Sequence, residues 1–313
     1  MALQTIGVSL TGSFPQGMPA IGAMLVNVRR AEQLGFDAIW SGDHIIMHSP
    51  ILDVMTVLAS FAAITERVKL GTAVYLMPLR HPVAIAKQVT SLDLLSDGRF
   101  IFGVGVGGEI VREFDAVGVP VHERGRRTDE GLEILTRVLS EDDVTYEGKH
   151  YQIHHVTLAP RPRQQPHPPI WVGGRSEAAL RRTARFGSCW LGYLVSSKRL
   201  QEALQQIHTL APTYGRAPAS IQGGMLLFTV IAKDYETGKQ MAIANLSRRY
   251  NQPFDNLVER YCVFGTPEQC LEKLQTFINA GMSHLVLSFT CPAEQVPEQL
   301  EQSARELLPH LRQ

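Results

Sequence analysis

The sequence predicts an α/β protein, a (β/α)8 TIM barrel with insertions, and three observations predict it. Short runs of β-forming apolar residues alternate with amphipathic helical patterns along most of the chain. Eight such runs can be counted, which is the number of parallel strands that closes this barrel. The length of 313 residues fits one barrel of this kind. We therefore expect a single domain over residues 1–313.

The first four strand candidates follow one another closely, with helical patterns between them. They are IGVSL (6–10), DAIWSGDH (37–44), VKLGTAVYL (68–76) and RFIFGVGVG (99–107). Pro82 suits the first turn of the third helix. Trp40, Trp171 and Trp190 are expected to pack in the barrel, because aromatic residues in strands usually fill the core. A doubly wound sheet uses similar units but seldom needs eight parallel strands, so the barrel is favoured.

Residues 144–169 interrupt the alternation. Tyr146, Tyr151 and Ile153 around the turn EGK predict a β-hairpin, and the proline-rich remainder predicts an extended connector. We expect this insertion to cover the barrel mouth, as long segments after barrel strands often do. The remaining strand candidates are IWVGG (170–174), SCWLGYL (188–194), IQGGMLLFTVIA (221–232) and MSHLVLSF (282–289).

Gly103, Gly105 and Gly108 match the G-x-G-x-x-G spacing of a nicotinamide-binding loop. That loop follows the first strand of its unit, with an acidic residue about twenty positions on at the next strand end. Here the glycines follow the fourth strand, and that distance reaches VHERGRR, so the nicotinamide interpretation fails. Glycines inside a β-run weaken it. We expect Gly105 and Gly107 to give a flat ligand access to the backbone, with plain strand-to-helix turns as the alternative.

Charge and cysteine content exclude several classes of protein. Basic and acidic residues balance at 30 each, which gives no electrostatic reason to expect nucleic acid or an anionic membrane as a partner. The four cysteines include no C-x-x-C pair, which is typical of reduced core thiols. The segment MALQTIGVSL lacks the basic region of a signal peptide, and no apolar run approaches the length of a membrane span. We expect a cytoplasmic protein.

Six segments together resemble the luciferase-like superfamily of flavin- and deazaflavin-dependent oxidoreductases. In family order they are GFDAIWSGDH, ERVKLGTAVYLMPLRHP, SLDLLSDGRFIFGVGVG, ERGRRTDEGLEIL, VTYEGKHYQI and PPIWVGGRSEAALRRTARFG. The resemblance implies an enzyme that binds FMN or the deazaflavin F420 in the mouth of a barrel, and commonly a homodimer. Beyond residue 195 only the strand–helix rhythm remains, and the substrate is not predicted.

Asp43 and His44, at the end of the second strand candidate, are the predicted catalytic residues. Barrel enzymes carry catalytic groups at these strand ends, and histidine is the natural proton acceptor at neutral pH. In F420-using relatives a D-H pair lies here, which implies that His44 takes a hydroxyl proton as hydride leaves the adjacent carbon. The alternative is a capping aspartate with a core histidine. His48 lies four residues on, but no third ligand is identifiable and no metal site is predicted.

The stretch GTAV, Gly71–Val74, carries the second implied part of the site. In many relatives the peptide corresponding to Ala73–Val74 is cis, and its bulge supports the middle ring of the cofactor. The residues themselves also fit an ordinary strand and do not decide whether the bond is cis. The resemblance implies that Ala73 and Val74 contact the cofactor.

The loop VGGRSEAAL is the predicted phosphate-binding segment. Gly173 and Gly174 follow a strand and Ser176 opens a helix, which presents free N–H groups at a positive helix end. Arg175 can add a charge-assisted contact. Ser176 as a simple helix cap is the alternative, and both roles are compatible. The family places the cofactor's phosphate near this loop, so all four residues are expected to bind the cofactor.

Glu109 directly follows the glycine-rich strand. In deazaflavin relatives that oxidise sugar phosphates, a glutamate near this point is a proton donor. The run GVGVGGE has one glycine more than we expect from those relatives. We therefore expect Glu109 to be a surface residue at a helix start.

Three functions remain open at this point. The Asp43–His44 pair favours F420-dependent hydride transfer to or from a small organic substrate. The alternative is a two-component monooxygenase that uses O₂ and reduced FMN from a separate flavin reductase. A flavin-binding protein without turnover is a further alternative. A metal-dependent barrel hydrolase is disfavoured, because no H-x-H or comparable ligand cluster is found at the strand ends.

Overall fold

Eight parallel strands close into a barrel in the computed structural model, which describes residues 3–10 and 21–312. The strands in chain order are β1 (Thr5–Ser9), β2 (Ala38–Ser41), β3 (Lys69–Thr72), β4 (Tyr75–Leu76), β5 (Phe100–Gly105), β6 (Val144–Glu147), β7 (Gln152–Val156), β8 (Ile170–Gly173), β9 (Cys189–Tyr193), β10 (Gln222–Ile231), β11 (Val263–Gly265) and β12 (Met282–Phe289). The barrel runs β1, β2, β3, β5, β8, β9, β10, β12, and β12 pairs with β1 to close it. The predicted (β/α)8 barrel is confirmed.

Helices surround the barrel. They are α1 (Ile21–Gln33), α2 (Val54–Ala62), α3 (Pro82–Leu95), α4 (Val111–Ala116), α5 (Arg124–Ser140), α6 (Glu177–Phe186), α7 (Ser197–Leu210), α8 (Tyr235–Tyr250), α9 (Val258–Tyr261), α10 (Pro267–Asn279), α11 (Val296–Gln302) and α12 (Leu308–Leu311). Pro82 is the first residue of α3, where its missing N–H costs no hydrogen bond. None of the helices in the described part of the chain is long and apolar enough to cross a membrane.

Aromatic side chains fill the middle of the barrel. The rings of Trp40 on β2 and Trp171 on β8 lie 4.6 Å apart across the interior. Trp40 fits because Gly7 on the neighbouring strand has no side chain: a Cβ there would lie 2.6 Å from the indole nitrogen. Trp190 is fully buried too. The prediction that the tryptophans pack in the core is confirmed.

A buried histidine closes the amino-terminal end of the barrel. The ring of His284 lies 4.7 Å from that of Trp171. Its Nδ1 is 2.8 Å from the Thr5 hydroxyl, and its Nε2 is 2.5 Å from Oε1 of Gln222. Burial lowers the pKa of His284 to about 4, so the ring is neutral at physiological pH. With this end packed, the carboxyl end of the strands is left for a ligand.

The inserted hairpin lies against the outer helices. β6 and β7 pair antiparallel, with Tyr146 opposite Ile153. The carboxylate of Glu130 on α5 accepts hydrogen bonds from the backbone N–H groups of residues 149–151, at the hairpin tip. Tyr151 packs edge-on against His81, which caps α3. The expectation that this insertion covers the barrel mouth is wrong, because α3 and α5 hold it on the outer surface.

A second insertion follows β10 and contacts the barrel mouth instead. Residues 232–262 carry α8 and α9. The chain then returns through β11, which pairs with the carboxyl end of β10 at Thr229–Ile231. The ring of Tyr250, the last residue of α8, lies 6.1 Å from that of Phe228 on β10. The sequence pattern of this segment does not indicate its place at the barrel mouth.

Candidate active site

The candidate residues meet at one rim of the barrel. His44 follows β2, Val74 follows β3, Gly105 ends β5 and Arg175 follows β8. These strands are all parallel, so their carboxyl ends lie at the same end of the barrel. The histidine after SGD and the arginine after VGG are therefore on one side of the molecule.

The floor of the mouth is apolar and accessible. Ala73, Val74 and Leu226 pack on the interior cluster that contains Trp40 and Trp171. All three floor residues are only partly buried, although the residues beneath them are almost fully buried. A flat aromatic ring can gain hydrophobic burial by lying on this surface.

Glycines at the ends of β5 and β8 make room for Val74. The Ala73–Val74 peptide bond is cis. A Cβ at Gly105 would lie 2.5 Å from Cγ2 of Val74, and one at Gly173 would lie 2.8 Å from Cγ1. The Val74 side chain fills the space beside Gly105, so the missing Cβ has a packing reason, and the predicted ligand contact of Gly105 stays a prediction. The glycines allow Val74 to form part of the floor.

The carboxylate of Asp43 forms an ion pair with an arginine and does not face the barrel mouth. Its side chain is fully buried, and its two oxygens lie 2.6 and 2.9 Å from the guanidinium nitrogens of Arg80. The backbone N–H of Leu76 also donates to it. Burial alone would lower the pKa of Arg80, but the hydrogen bonds to Asp43 and the negative charges of Asp43 and Asp53 together outweigh it, and the pKa is raised. Asp43 therefore fixes the end of β2 to β4, just beyond the cis bond, and its role in catalysis stays a prediction.

Glu113 is the carboxylate that contacts His44, and sequence analysis missed it. Its oxygens lie 3.2 and 3.3 Å from Nδ1 of His44, and Oε2 also accepts a hydrogen bond from the backbone N–H of Ile45. The Glu113 side chain is fully buried, whereas that of His44 is 20% exposed. Within the described residues, no group hydrogen-bonds to Nε2 of His44.

Gly107 shapes the loop that places Glu113. This glycine has a left-handed φ of +61°, which residues with side chains rarely adopt. A Cβ there would lie 3.3 Å from both Leu76 and Phe114. Phe114 is fully buried against Leu76 and Leu79, which anchors α4 beside the rim. The backbone conformation and the packing of this loop therefore favour a glycine at position 107, independently of any ligand contact.

The loop after β8 has the features of an anion site. Ser176 is the N-cap of α6, and its hydroxyl accepts a hydrogen bond from the N–H of Ala179. Gly174 adopts a φ of +122°, and a Cβ there would lie 2.9 Å from Ala179. The guanidinium of Arg175 lies 5.6 Å from the ring centre of Tyr193. An arginine beside a capped helix N-terminus favours a negatively charged group.

Tyr193 forms the wall of the mouth next to Arg175. Its hydroxyl donates to Oε1 of Glu109 at 3.3 Å, and its ring meets Phe228 edge-on at 6.2 Å. Burial raises the pKa of Tyr193, and nearby Tyr250 and Glu109 raise it further. Glu109 is exposed, as predicted, but it is also tied to this tyrosine.

No group of three or more His, Cys, Asp or Glu side chains in the described ranges is placed to hold a metal ion. The described rim instead combines an apolar floor, one partly exposed histidine and an arginine at a helix N-terminus. This donor set fits a planar ring that carries a phosphate. A barrel with such a rim is the arrangement expected of a flavin-type oxidoreductase.

The chain belongs to the luciferase-like monooxygenase family, whose profile matches residues 5–284. It is similar to the F420-dependent glucose-6-phosphate dehydrogenase of Kineococcus radiotolerans, with 28% identity over 314 aligned residues, 90% of this chain and 91% of the relative.

Two solved structures show the same fold. The monooxygenase RslO1 from Streptomyces bottropensis superposes with a TM-score of 0.83 at 26% identity, covering 98% of this chain and 99% of that one. An F420-dependent secondary alcohol dehydrogenase in complex with an F420–acetone adduct superposes with a TM-score of 0.86, covering 100% of both chains. The identity in that case is 18%, so the likeness concerns the fold.

Proposed function

We propose that this protein is an F420-dependent oxidoreductase that transfers hydride to or from a small organic alcohol or carbonyl compound. The observation that carries the proposal is the position of His44, which is held by Glu113 at the rim that also carries the apolar floor. The relative from Kineococcus, an F420-dependent dehydrogenase by name, supports the choice of cofactor.

Three parts of the rim would hold the cofactor. Ala73 and Val74 would support the ring from the floor, because both are apolar and partly exposed. The N–H groups of Gly174 to Ser176 and the guanidinium of Arg175 would bind its phosphate. Leu226 would add apolar contact from the far side of the floor.

His44 performs the acid–base step. When bound, F420 supplies the two-electron chemistry, by taking hydride from the substrate carbon or returning it. As the carbon–hydrogen electron pair leaves an alcohol, Nε2 of His44 accepts the hydroxyl proton and a carbonyl product remains. In the reverse direction, the imidazolium returns this proton to the carbonyl oxygen. Proton transfer by a positioned side chain contributes about 10²–10⁴-fold to a rate.

The first test is a fluorescence titration of the purified protein with F420 and, in parallel, with FMN. We expect saturable quenching by F420 at lower concentration than by FMN. We also expect loss of the F420 absorption band when glucose 6-phosphate or a small secondary alcohol is added. His44→Asn should keep F420 affinity and lower the rate by about 100-fold or more. Tight FMN binding without F420 binding would contradict the proposal.

The phosphate site has its own test. Arg175→Ala should weaken F420 binding about tenfold, which is the value of one charge-assisted contact of about 1.5 kcal/mol. The matched control is Arg181→Ala, an exposed arginine further along α6. A deazaflavin without the phosphate should bind both variants and the native protein equally. If Arg175→Ala and the native protein had equal affinity for F420, Arg175 would not bind the phosphate.

The second candidate is an FMN-dependent monooxygenase that receives reduced flavin from a separate reductase. The 26% identity to RslO1, a monooxygenase by name, favours it. The same floor and phosphate loop would serve FMN, whose ring and phosphate have the same arrangement. O₂ consumption with reduced FMN, and none with F420, would identify this function. A flavin-binding protein without turnover would bind cofactor but leave every substrate unchanged.

The proposed enzyme is a cytoplasmic homodimer. Exposed apolar side chains on two outer helices support the dimer: Val26 on α1 is 61% exposed, and Leu94 and Leu95 on α3 are 41% and 65% exposed. Light scattering should give about twice the chain mass of 34.7 kDa. A single-chain mass at micromolar concentration would contradict the dimer. Only the FMN alternative needs a flavin reductase as a partner.

A further inference from the structure

The imidazole of His44 has two nitrogens in different surroundings. Nδ1 faces the buried carboxylate of Glu113, at 3.2 and 3.3 Å from its oxygens. A carboxylate only accepts hydrogen bonds, so the contact requires a proton on Nδ1. The proton of a neutral imidazole resides on one nitrogen at a time, and the partner of the other nitrogen decides which.

We propose that Glu113 is a positioning residue that fixes the tautomer of His44, with the proton on Nδ1 and the lone pair on Nε2. The proposal rests on the proposed function, in which Nε2 of His44 is the base. A histidine with the opposite tautomer would present an N–H to the substrate hydroxyl and would be unable to take its proton. Glu113 therefore selects the form of His44 that reacts.

The backbone N–H of Ile45 explains why glutamate and glutamine should act differently at position 113. Its N–H donates to Oε2 of Glu113 at 3.2 Å, which orients the carboxylate relative to the imidazole. In Glu113→Gln, the single amide oxygen is drawn to this N–H, so the NH₂ group faces Nδ1. An NH₂ group is a donor, and in the place of Oε1, 3.2 Å from Nδ1, it favours an acceptor there and so a proton on Nε2, against the pull of the amide oxygen in the place of Oε2 at 3.3 Å. The isosteric variant should thus reverse the tautomer while preserving the shape of the side chain.

Asp43 does not compete for this role, although it precedes His44 directly. Both of its oxygens accept from Arg80, and one also accepts from the Leu76 N–H. Glu113 is fully buried, so water is kept from the contact. One carboxylate fixes the strand end and the other fixes the histidine.

The direct test is ¹⁵N NMR of the protein labelled at histidine, at alkaline pH and without cofactor. The His44 signals are assigned by their loss in His44→Asn. We expect His44 in the native protein to carry its proton on Nδ1, and in Glu113→Gln on Nε2. A native His44 protonated on Nε2, or the same tautomer in both proteins, would overturn the proposal.

Activity provides the second readout. Glu113→Gln should lower kcat by about 100-fold or more and leave KM and F420 affinity within about twofold, because only the proton transfer is impaired. Glu113→Asp should recover part of the rate, since it restores an acceptor. The control is Asp115→Asn, an exposed residue on the same helix, which should be unaffected. Native kcat in Glu113→Gln would contradict the positioning role.

The two readouts separate this inference from the proposed function. The NMR result concerns the protein alone, so it stands even if F420 does not bind. If F420 binds and is reduced while the tautomer is the same in both proteins, only the role of Glu113 fails. Thermal unfolding of Glu113→Gln within a few degrees of the native protein shows that the comparison is between folded proteins.

Discussion

Two buried carboxylates near His44 make different contacts. Asp43 is adjacent in sequence and pairs with Arg80, whereas Glu113 is 69 positions away and contacts the imidazole. Sequence adjacency therefore does not identify the carboxylate that contacts the imidazole. No local pattern marks Glu113, because its contact depends on where the loop after β5 brings α4.

Asp43→Asn should destabilise the fold. The variant removes the nearer carboxylate from the guanidinium of Arg80, which is only 19% exposed, and leaves it only the carboxylate of Asp53 at 3.6 Å. Breaking such a pair by removing one member costs about 3 kcal/mol in free energy of unfolding. Urea denaturation measures it. Asp97→Asn is the control, because that aspartate is 77% exposed in its pair with Arg163 and should change stability little. Equal stability of both variants would show that Asp43 does not fix the rim.

At the scale of elements, the end of β3 and the glycines of β5 and β8 act as one unit. Val74 fits because Gly105 and Gly173 lack side chains. Each of these positions was singled out from the sequence, but separately. The glycines were predicted to contact a ligand, and their contact with Val74 was not predicted. The mutual packing was not predictable, since β3 and β8 are not adjacent and only the closed barrel brings Val74 to Gly173.

Gly105→Ala should displace Val74 and weaken F420 binding, because the new Cβ would lie 2.5 Å from Cγ2. We expect at least a tenfold loss of affinity by fluorescence titration. The double variant with Val74→Ala should recover part of it, since the smaller side chain removes the clash. Gly22→Ala is the control, because a Cβ at this helical glycine meets nothing within 4 Å. Undiminished F420 binding by Gly105→Ala would exclude Val74 from the floor.

The two insertions differ in how far the sequence predicts them. Tyr146 and Ile153 marked the hairpin by alternation around a turn, and they do lie opposite each other. Its predicted position over the barrel mouth was wrong, because Glu130 and the cap of α3 hold the hairpin on the outer surface. The segment 232–262 reads as an ordinary helical unit, yet it brings Tyr250 to the barrel mouth.

At the scale of the whole molecule, the barrel was predictable because each of its eight strands is a distinct apolar run. The closed order of strands follows from the right-handed connection of successive β–α units. The filling of the interior was predictable only in part. Trp40 and Trp171 were expected in the core, but the layer of His284, Thr5 and Gln222 beneath them has no sequence signature.

His284 should make stability depend on pH. Its pKa is lowered from 6.5 to about 4 in the folded protein, so between these values the unfolded state binds more protons. The free energy of unfolding should therefore fall by up to about 3 kcal/mol as the pH drops from 6.5 to 4, and level off below.

Urea denaturation at a series of pH values measures this slope. His284→Gln should flatten it, because glutamine does not titrate. His154→Gln is the control, since that side chain is 60% exposed. An unchanged slope in His284→Gln would show that other groups control the acid stability.

The central claim is that one rim of this barrel binds a single planar cofactor beside His44. A crystal structure of the protein soaked with F420 tests it most directly. We predict the ring against Ala73 and Val74, within reach of His44, and the phosphate at the N–H groups of Gly174 to Ser176. A cofactor bound elsewhere, or one placed at this rim with its ring away from His44, would contradict the account.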